Sequence, residues 1–306
     1  MRIVHADDVP YKKPGTKHRE GDIEFRRILK GEPGGVQNFE FLFAKTGGRF
    51  YGPRHRHNFE QIRFGLKGEM GGRKADYIEP GQIGYYPENC PYQIDSSESE
   101  IVLLQFAGPS GWGYLSYDQL YAAHAELAKL GTFKDGVFSR NPSTNLAPGQ
   151  KRNQDGYEAI WEHLHGRPIE YPKPRYEAPV LMNPDNYPWL PEAGAKGVAR
   201  RHIASFSERR IGIAQIKLEP GAETIETAPA APRFLFIVDG DGVVAGDGAD
   251  GTPIRRHSVV KLETGERARV TAASPLLLLV LTLPAFSAEE IAFFEERNRR
   301  NASVAA

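Results

Sequence analysis

The sequence repeats one pattern of strands and turns in its two halves, and this repeat limits the possible folds more than any other feature. The segment QIRFGLKGEMGG, residues 61–72, resembles RFLFIVDGDGVV, residues 233–244. Each contains a strand-like run that ends at a glycine, Gly68 or Gly240, as is typical of a strand followed by a turn. An internal repeat of this kind predicts two similar structural units.

Composition is that of an ordinary soluble protein. The 306 residues suffice for about two domains. The 39 basic and 39 acidic residues cancel, which argues against a nucleic-acid or membrane surface. A single cysteine, Cys90, excludes an intrachain disulfide framework. Because the N-terminus lacks an apolar signal core and no run approaches ~20 apolar residues, we expect a cytoplasmic location.

The predicted elements are mainly strands. The 32 glycines and 23 prolines separate short runs of β-branched and aromatic residues. Helical spacing of apolar residues predicts a helix over 117–130 and a second from Asp155 to Gly166. A capping box at Ser287 predicts a short C-terminal helix. The strands predicted in the first half are Asp22–Leu29, Val36–Ala44, Gln61–Leu66, Gln82–Tyr86 and Ile101–Phe106.

A histidine pair, His55 and His57, marks the strongest candidate site. On a strand, side chains at i and i+2 leave the same face, so the two imidazoles can converge on one metal ion. Gln61 and Arg63 keep the same phase, whereas Glu60 points to the opposite face. The alternative is a pair of polar residues on a solvated face.

The surrounding spacing resembles the first motif of the cupin superfamily. That motif reads glycine, five residues, His-x-His, three or four residues, glutamate, six residues and glycine. It falls here on His55, His57, Gln61 and Gly68, with the early glycine one place away at Gly48. The second cupin motif, glycine, five residues, Pro-x-Gly, two residues and histidine, has its counterpart in Gly81, Pro87, Asn89 and Tyr92.

Two of the four metal ligands of the family are therefore replaced. Gln61 stands where the family has glutamate, and its neutral carbonyl oxygen is a weaker ligand than a carboxylate. Tyr92 stands where the family has histidine, and a phenol binds metals well only as a phenolate. We expect a metal site formed by His55, His57 and Gln61, with Tyr92 as an optional ligand. The alternative is a cupin pocket that binds its ligand through hydrogen bonds alone.

The resemblance and the repeat together predict a mainly β bicupin. Two jelly-roll barrels are joined by a helical connector, and a short helix follows. When Gly240 is aligned with Gly68, Thr227 and Pro229 replace the histidines, Arg233 replaces Gln61 and Ala268 replaces Tyr92, so the second barrel has lost the site. The predicted boundaries are 1–116 for the N-terminal barrel, 117–175 for the connector, 176–286 for the C-terminal barrel and 287–306 for the helix and tail.

Arg63 and Tyr92 are the candidate catalytic residues. Arg63 faces inward, and a buried guanidinium needs an anionic partner. That partner is either a substrate carboxylate, which it would hold bidentately, or a nearby Glu or Asp in a structural pair. Tyr92 is a metal ligand, a proton donor, or only a core aromatic.

Two hypotheses for function follow. The resemblance implies a metal-dependent oxidoreductase of the dioxygenase type, acting in the N-terminal barrel on a small organic acid or phenol. It would use one divalent metal per chain, with Fe expected first and Zn, Mn, Ni or Cu as alternatives. The other hypothesis is a non-redox cupin, either a ligand-binding module or an isomerase, lyase or decarboxylase, whose metal site is weakened or absent. We also expect a homodimer.

Overall fold

The computed structural model describes residues 1–15, 18–32, 37–72, 77–108, 110, 115–146, 148–207, 209–248 and 250–304. Its contacts divide the chain into two compact units. One comprises residues 11–182 and 288–306, and the other comprises residues 1–10 and 183–287. In both, antiparallel strands predominate, as the sequence predicts. Within the described residues, no helix is both long and apolar enough to cross a membrane.

The first unit, termed the N-terminal barrel, holds the predicted strands. Its elements are β2 (Glu20–Lys30), β3 (Phe39–His55), β4 (Phe59–Lys67), β5 (Ile83–Tyr86), β6 (Tyr92–Ser96), β7 (Ser99–Ala107), α1 (Tyr117–Leu127), β8 (Gly131–Lys134), β9 (Val137–Arg140), β10 (Asn153–Asp155), α2 (Gly156–His165), β11 (Val180–Met182) and α3 (Ala288–Val304). The main sheet has the order β11-β5-β4-β7-β3-β2, with β6 also paired to β3, and β10-β9-β8 form a small second sheet. Val36, where the second predicted strand starts, lies outside the described residues.

Strand β3 is long because it pairs with two partners in turn. Phe39–Thr46 pairs with β7, and after Gly47 and Gly48 the segment Phe50–His55 pairs with β6. The second segment brings His55 opposite Tyr92. Sequence analysis predicted only the first segment of this strand.

The second unit, termed the C-terminal barrel, includes a strand from the start of the chain. Its elements are β1 (Arg2–His5), β12 (Leu190–Pro191), β13 (Val198–Phe206), β14 (Ile211–Leu218), β15 (Glu223–Thr227), β16 (Arg233–Asp239), β17 (Asp241–Gly246), β18 (Thr252–Arg255), β19 (Ser258–Leu262), β20 (Arg267–Ala272) and β21 (Leu276–Thr282). The sheets have the orders β1-β19-β16-β21-β14-β13-β12 and β15-β20-β17-β18.

The observed division differs from the predicted boundaries in two places. Residues 1–10 were assigned to the N-terminal barrel, but Arg2–His5 pairs with β19 of the C-terminal barrel. Residues 117–175 were assigned to a separate connector, but Leu120, Tyr157 and Phe59 share one apolar cluster. Helices α1 and α2 therefore pack on the N-terminal barrel and close its core.

Equivalent glycines end β4 and β16, as the repeat predicts. Gly68 and Gly240 have φ of +64° and +86°, a conformation that other residues adopt only with strain. A Cβ at either position would lie 2.1 Å from a carbonyl oxygen, that of Glu98 or of Pro275. The turn therefore requires glycine in both barrels.

A cluster of buried apolar side chains forms the core of the C-terminal barrel. Leu235, Ile237 and Val260 belong to its buried apolar cluster. Pairing of β15 with β20 places Glu226, not Thr227, opposite Ala268, so Glu226 corresponds to His55 and the sequence alignment was one residue out. One extra residue between β15 and β16 causes the shift.

Candidate active site

The four predicted metal ligands and Arg63 line one cavity in the N-terminal barrel. Its volume is about 120 Å³. Strand β3 supplies His55, and His57 follows in the turn to β4. Strand β4 supplies Gln61 and Arg63 from one face, while Glu60 on its other face accepts a hydrogen bond from the Tyr85 hydroxyl at 3.0 Å. The face assignment holds for Gln61, Arg63 and Glu60 on β4. The prediction that the histidines share this strand was wrong, because His55 ends β3 and His57 lies in the turn.

The two histidines are close together and uncharged. Their ring centroids lie 4.9 Å apart. Burial, and next the charge of Arg19, lowers the pKa of both imidazoles well below the usual range. His55 Nδ1 lies 2.6 Å from the Pro53 carbonyl oxygen, so it carries the proton and Nε2 keeps its lone pair. His57 Nδ1 is buried and has no hydrogen-bond partner among the described residues.

Both polar atoms of the Gln61 side chain form hydrogen bonds with neighbouring residues. Its Oε1 accepts hydrogen bonds from Arg63 Nε at 3.1 Å and Nη2 at 2.7 Å. Its Nε2 donates to the Tyr92 hydroxyl at 3.1 Å. Because this hydroxyl already accepts a hydrogen bond, its own proton remains available for another acceptor.

Tyr92 lies inside the cavity beside the histidines. Its ring centroid is 4.4 Å from that of His55 and 5.8 Å from that of His57. The side chain is buried and lines the same cavity as both imidazoles. This position is compatible with a ligand, a proton donor or a packed aromatic, and its chemical role stays a prediction.

His55 and His57 offer imidazole nitrogens to a metal ion in this arrangement, and His18 lines the same cavity. Among the described residues, no group of three or more His, Cys, Asp or Glu side chains is placed to hold a metal. The Gln61 carbonyl oxygen is engaged by Arg63, whose positive charge opposes a cation. The residues therefore fit a weak two-histidine site in which the ligand or water would fill the remaining positions.

Arg63 has no acidic partner among the described residues. It is 3% exposed, and its guanidinium lies over the rings of Tyr86 and Tyr92, 4.0 and 4.8 Å from their centroids. Its Nη1 is buried without a hydrogen-bond partner. Cation–π contacts contribute about 0.5–2 kcal/mol, less than the several kcal/mol needed to bury an ion. The structural pair considered from the sequence is absent from the described part of the chain.

Two cavity residues were missed by sequence analysis, and a third, Gln105, was placed on the last strand of the barrel without an assigned face. His18 and Arg19 precede β2 in a segment with no periodic pattern. Gln105 lies opposite Gln61 on β7 and lines the cavity, and its Oε1 is buried without a partner among the described residues. The face of Gln105 follows from strand register, which a single sequence does not give. Its free acceptor suits a hydroxyl or amino group of a ligand.

Comparisons with known proteins identify the fold. No protein-family model matches the sequence, and a search of curated proteins gave no match. Among solved structures, oxalate decarboxylase from Bacillus subtilis at pH 4.6 matches with a TM-score of 0.55 and 13% identity, over 94% of this chain and 77% of that one. A structure of that enzyme from work on its Mn(II) centres matches with a TM-score of 0.55 and 14% identity, over 94% and 78%.

These matches establish the class of fold. The chain has the two-barrel fold of a bicupin, as the resemblance implied. At 13–14% identity the likeness shows the fold alone, and the chemistry depends on the residues in the cavity.

The double substitution His55→Ala and His57→Ala tests the metal site. We expect the wild-type protein, purified after growth with several divalent metals, to retain one ion per chain and the double variant to retain none. Neither histidine belongs to an apolar core cluster, so the variant is expected to stay folded. Elemental analysis measures the metal, and circular dichroism checks the fold. A wild-type protein free of metal under every supplement would contradict the site.

Proposed function

We propose that the N-terminal barrel binds a small carboxylate and carries out non-oxidative acid–base chemistry on it, as a lyase or an isomerase. The observation that carries this proposal is the buried guanidinium of Arg63, which has no acidic partner in the described part of the chain. A carboxylate bound there would supply the missing negative charge through charge-assisted hydrogen bonds.

The neighbouring groups suit proton transfer beside that carboxylate. When a proton leaves the adjacent carbon, negative charge moves onto the carboxylate oxygens, where Arg63 stabilises it. His55 Nε2, which keeps its lone pair, can accept that proton when no metal ion is bound to it. The Tyr92 hydroxyl can return a proton to carbon, because its oxygen is already held by Gln61.

A divalent metal ion would be held by His55 and His57 and would act as a Lewis acid on the bound carboxylate. A histidine nitrogen that binds a metal ion cannot also accept a proton. The metal analysis described above therefore decides which role the histidines have. Mn(II) is named for the similar oxalate decarboxylase, and we propose no particular metal for this chain.

Decarboxylation is the second candidate, and the structural comparisons favour it. The matched structures carry the name of a decarboxylase that acts on a small carboxylate, oxalate. In that reaction the carbon–carbon bond breaks, CO2 leaves, and Tyr92 protonates the remaining carbon. Loss of CO2 would remove negative charge from the carboxylate that Arg63 holds, whereas proton transfer from the adjacent carbon would add negative charge to it. The cavity therefore favours proton transfer over loss of CO2. No observation in the site specifically favours the dioxygenase hypothesis.

One incubation series separates these reactions. The protein, with each divalent metal and with a chelator, is incubated with a panel of carboxylic acids in D2O, in air and under nitrogen. We expect deuterium to enter the carbon next to the carboxylate, or elimination products to form, equally in both atmospheres. Release of CO2 without deuterium exchange into the unreacted acid would support decarboxylation. Consumption of dioxygen with an acid would overturn the proposal in favour of a dioxygenase.

A further inference from the structure

The permanent charges in the cavity allow a more specific statement about the ligand. Two guanidinium groups line it, those of Arg19 and Arg63. Arg19 is neutralised by the protein, because its Nη1 lies 2.8 Å from Asp155 Oδ2. Arg63 alone of the two has no carboxylate beside it among the described residues. The protein therefore leaves one positive charge for a ligand to balance.

Apart from His18, Gln105 and several tyrosines, the remaining walls of the cavity are apolar. They are formed by side chains from β2, β3 and β7, which belong to the core of the N-terminal barrel. These include Ile23, Phe25, Ala44, Phe50, Ile101 and Leu103. Helix α1 adds Leu120. A small dianion such as oxalate would leave these walls without a partner, and its second charge would be buried beside them at high cost.

The volume limits the size of the apolar part. The cavity measures about 120 Å³, close to the ~150 Å³ of an apolar protein cavity that binds benzene. One six-membered ring or a branched chain of similar size matches this space.

We infer that the ligand of the N-terminal barrel is a monocarboxylate with an apolar body about the size of a benzene ring, held by Arg63 at the carboxylate and by the walls around Ala44 and Leu103 at the body. This inference rests on the proposed function, since it takes the carboxylate site as given and adds the charge and the body of the ligand. It distinguishes the pocket from one built for oxalate.

Calorimetric titration of the purified protein, with and without a chelator, tests the inference through four probes. Phenylacetate carries both features, acetate lacks the body, phenylacetamide lacks the charge, and oxalate carries a second charge. We expect phenylacetate to bind at least about 10-fold tighter than each of the others, a difference of about 1.4 kcal/mol, because each of the others lacks the ring, lacks the charge-assisted contact or buries a second charge. This comparison needs no variant to fold.

Two variants assign the two ends of the ligand. Arg63→Gln should weaken phenylacetate by about 10-fold or more and leave phenylacetamide unchanged. Ala44→Leu places a larger side chain in the cavity, so it should weaken phenylacetate by about 10-fold while acetate changes less than about 2-fold. Thermal unfolding of each variant shows whether it remains folded.

The outcomes distinguish the inference from the function on which it rests. Oxalate binding as tightly as phenylacetate, or phenylacetamide binding as tightly as phenylacetate, overturns the inference. If oxalate binds as tightly as phenylacetate, carboxylate binding is still supported, and so is the proposed function. Failure of every acid to bind overturns both. Tight binding of phenylacetate without any turnover of an acid supports the inference and counts against the lyase or isomerase.

Discussion

Replacing Tyr92 by Phe is expected to lower turnover of a carboxylate substrate by roughly 10²-fold, because the substitution removes the proton that general acid catalysis would deliver. Binding of the carboxylate should change little, since Arg63 remains in place. The volume is nearly conserved, so the barrel should keep its stability to within about 1.5 kcal/mol. Steady-state kcat and KM, measured with an acid identified by the incubation series, report the two effects separately.

Tyr85→Phe is the matched control for this substitution. Tyr85 lies on β5, and its hydroxyl donates to Glu60, which lies on the face of β4 opposite Gln61 and Arg63. Loss of that hydroxyl is expected to lower stability and to leave kcat unchanged for the folded protein. If Tyr92→Phe turns over substrate at a rate close to that of the wild type, Tyr92 is only a packed aromatic and not a proton donor.

Replacing Glu226 by Ala is expected to cost about 3 kcal/mol of unfolding free energy. Glu226 is 1% exposed, and it accepts hydrogen bonds from Arg200 and from Arg233 Nη1, the latter at 2.9 Å. Removal of one partner of a buried ion pair typically costs about 3–5 kcal/mol, and the two partly exposed guanidiniums place this case at the lower end. Urea unfolding of the full chain measures the change.

Glu223→Ala serves as the control for Glu226. Glu223 lies on the same strand, β15, but is exposed, so its replacement should change stability by no more than about 0.5 kcal/mol. If Glu226→Ala were equally mild, the ion cluster would not stabilise the C-terminal barrel. The apolar core and this ion cluster are expected to stabilise the second barrel, which lacks the histidines.

Local patterns predicted much of the fold. Alternation, capping and the glycine stop at Gly166 act over a few residues, so they could be recognised in the sequence. They predicted the strands β2, β4, β5 and β7 and the helices α1 and α2. The second segment of β3 was missed, because the Gly47-Gly48 pair interrupts the alternation. Strand β1 belongs to the C-terminal barrel because it pairs with β19, more than 250 residues away in the sequence. No local sequence pattern predicts such a distant pairing.

The candidate site was predicted in composition but not in its contacts. Strand phase placed Gln61 and Arg63 on one face of β4, since a period of two is a local property. The histidines line the same cavity from the end of β3 and the following turn, which the prediction of one continuous strand did not foresee. Engagement of the Gln61 oxygen by Arg63 depends on rotamers that the sequence does not show. Arg19 and Gln105 reach the cavity from distant segments, so the charge balance that defines the ligand could be read only from the structure.

A crystal structure of the protein with phenylacetate tests the central claim most directly. We expect the carboxylate to lie within hydrogen-bond distance of the Arg63 guanidinium, with the ring against Ala44 and Leu103 and the Tyr92 hydroxyl facing the bound acid. A structure in which Arg63 is paired with an Asp or Glu of the protein, or in which the acid binds outside this cavity, would contradict it.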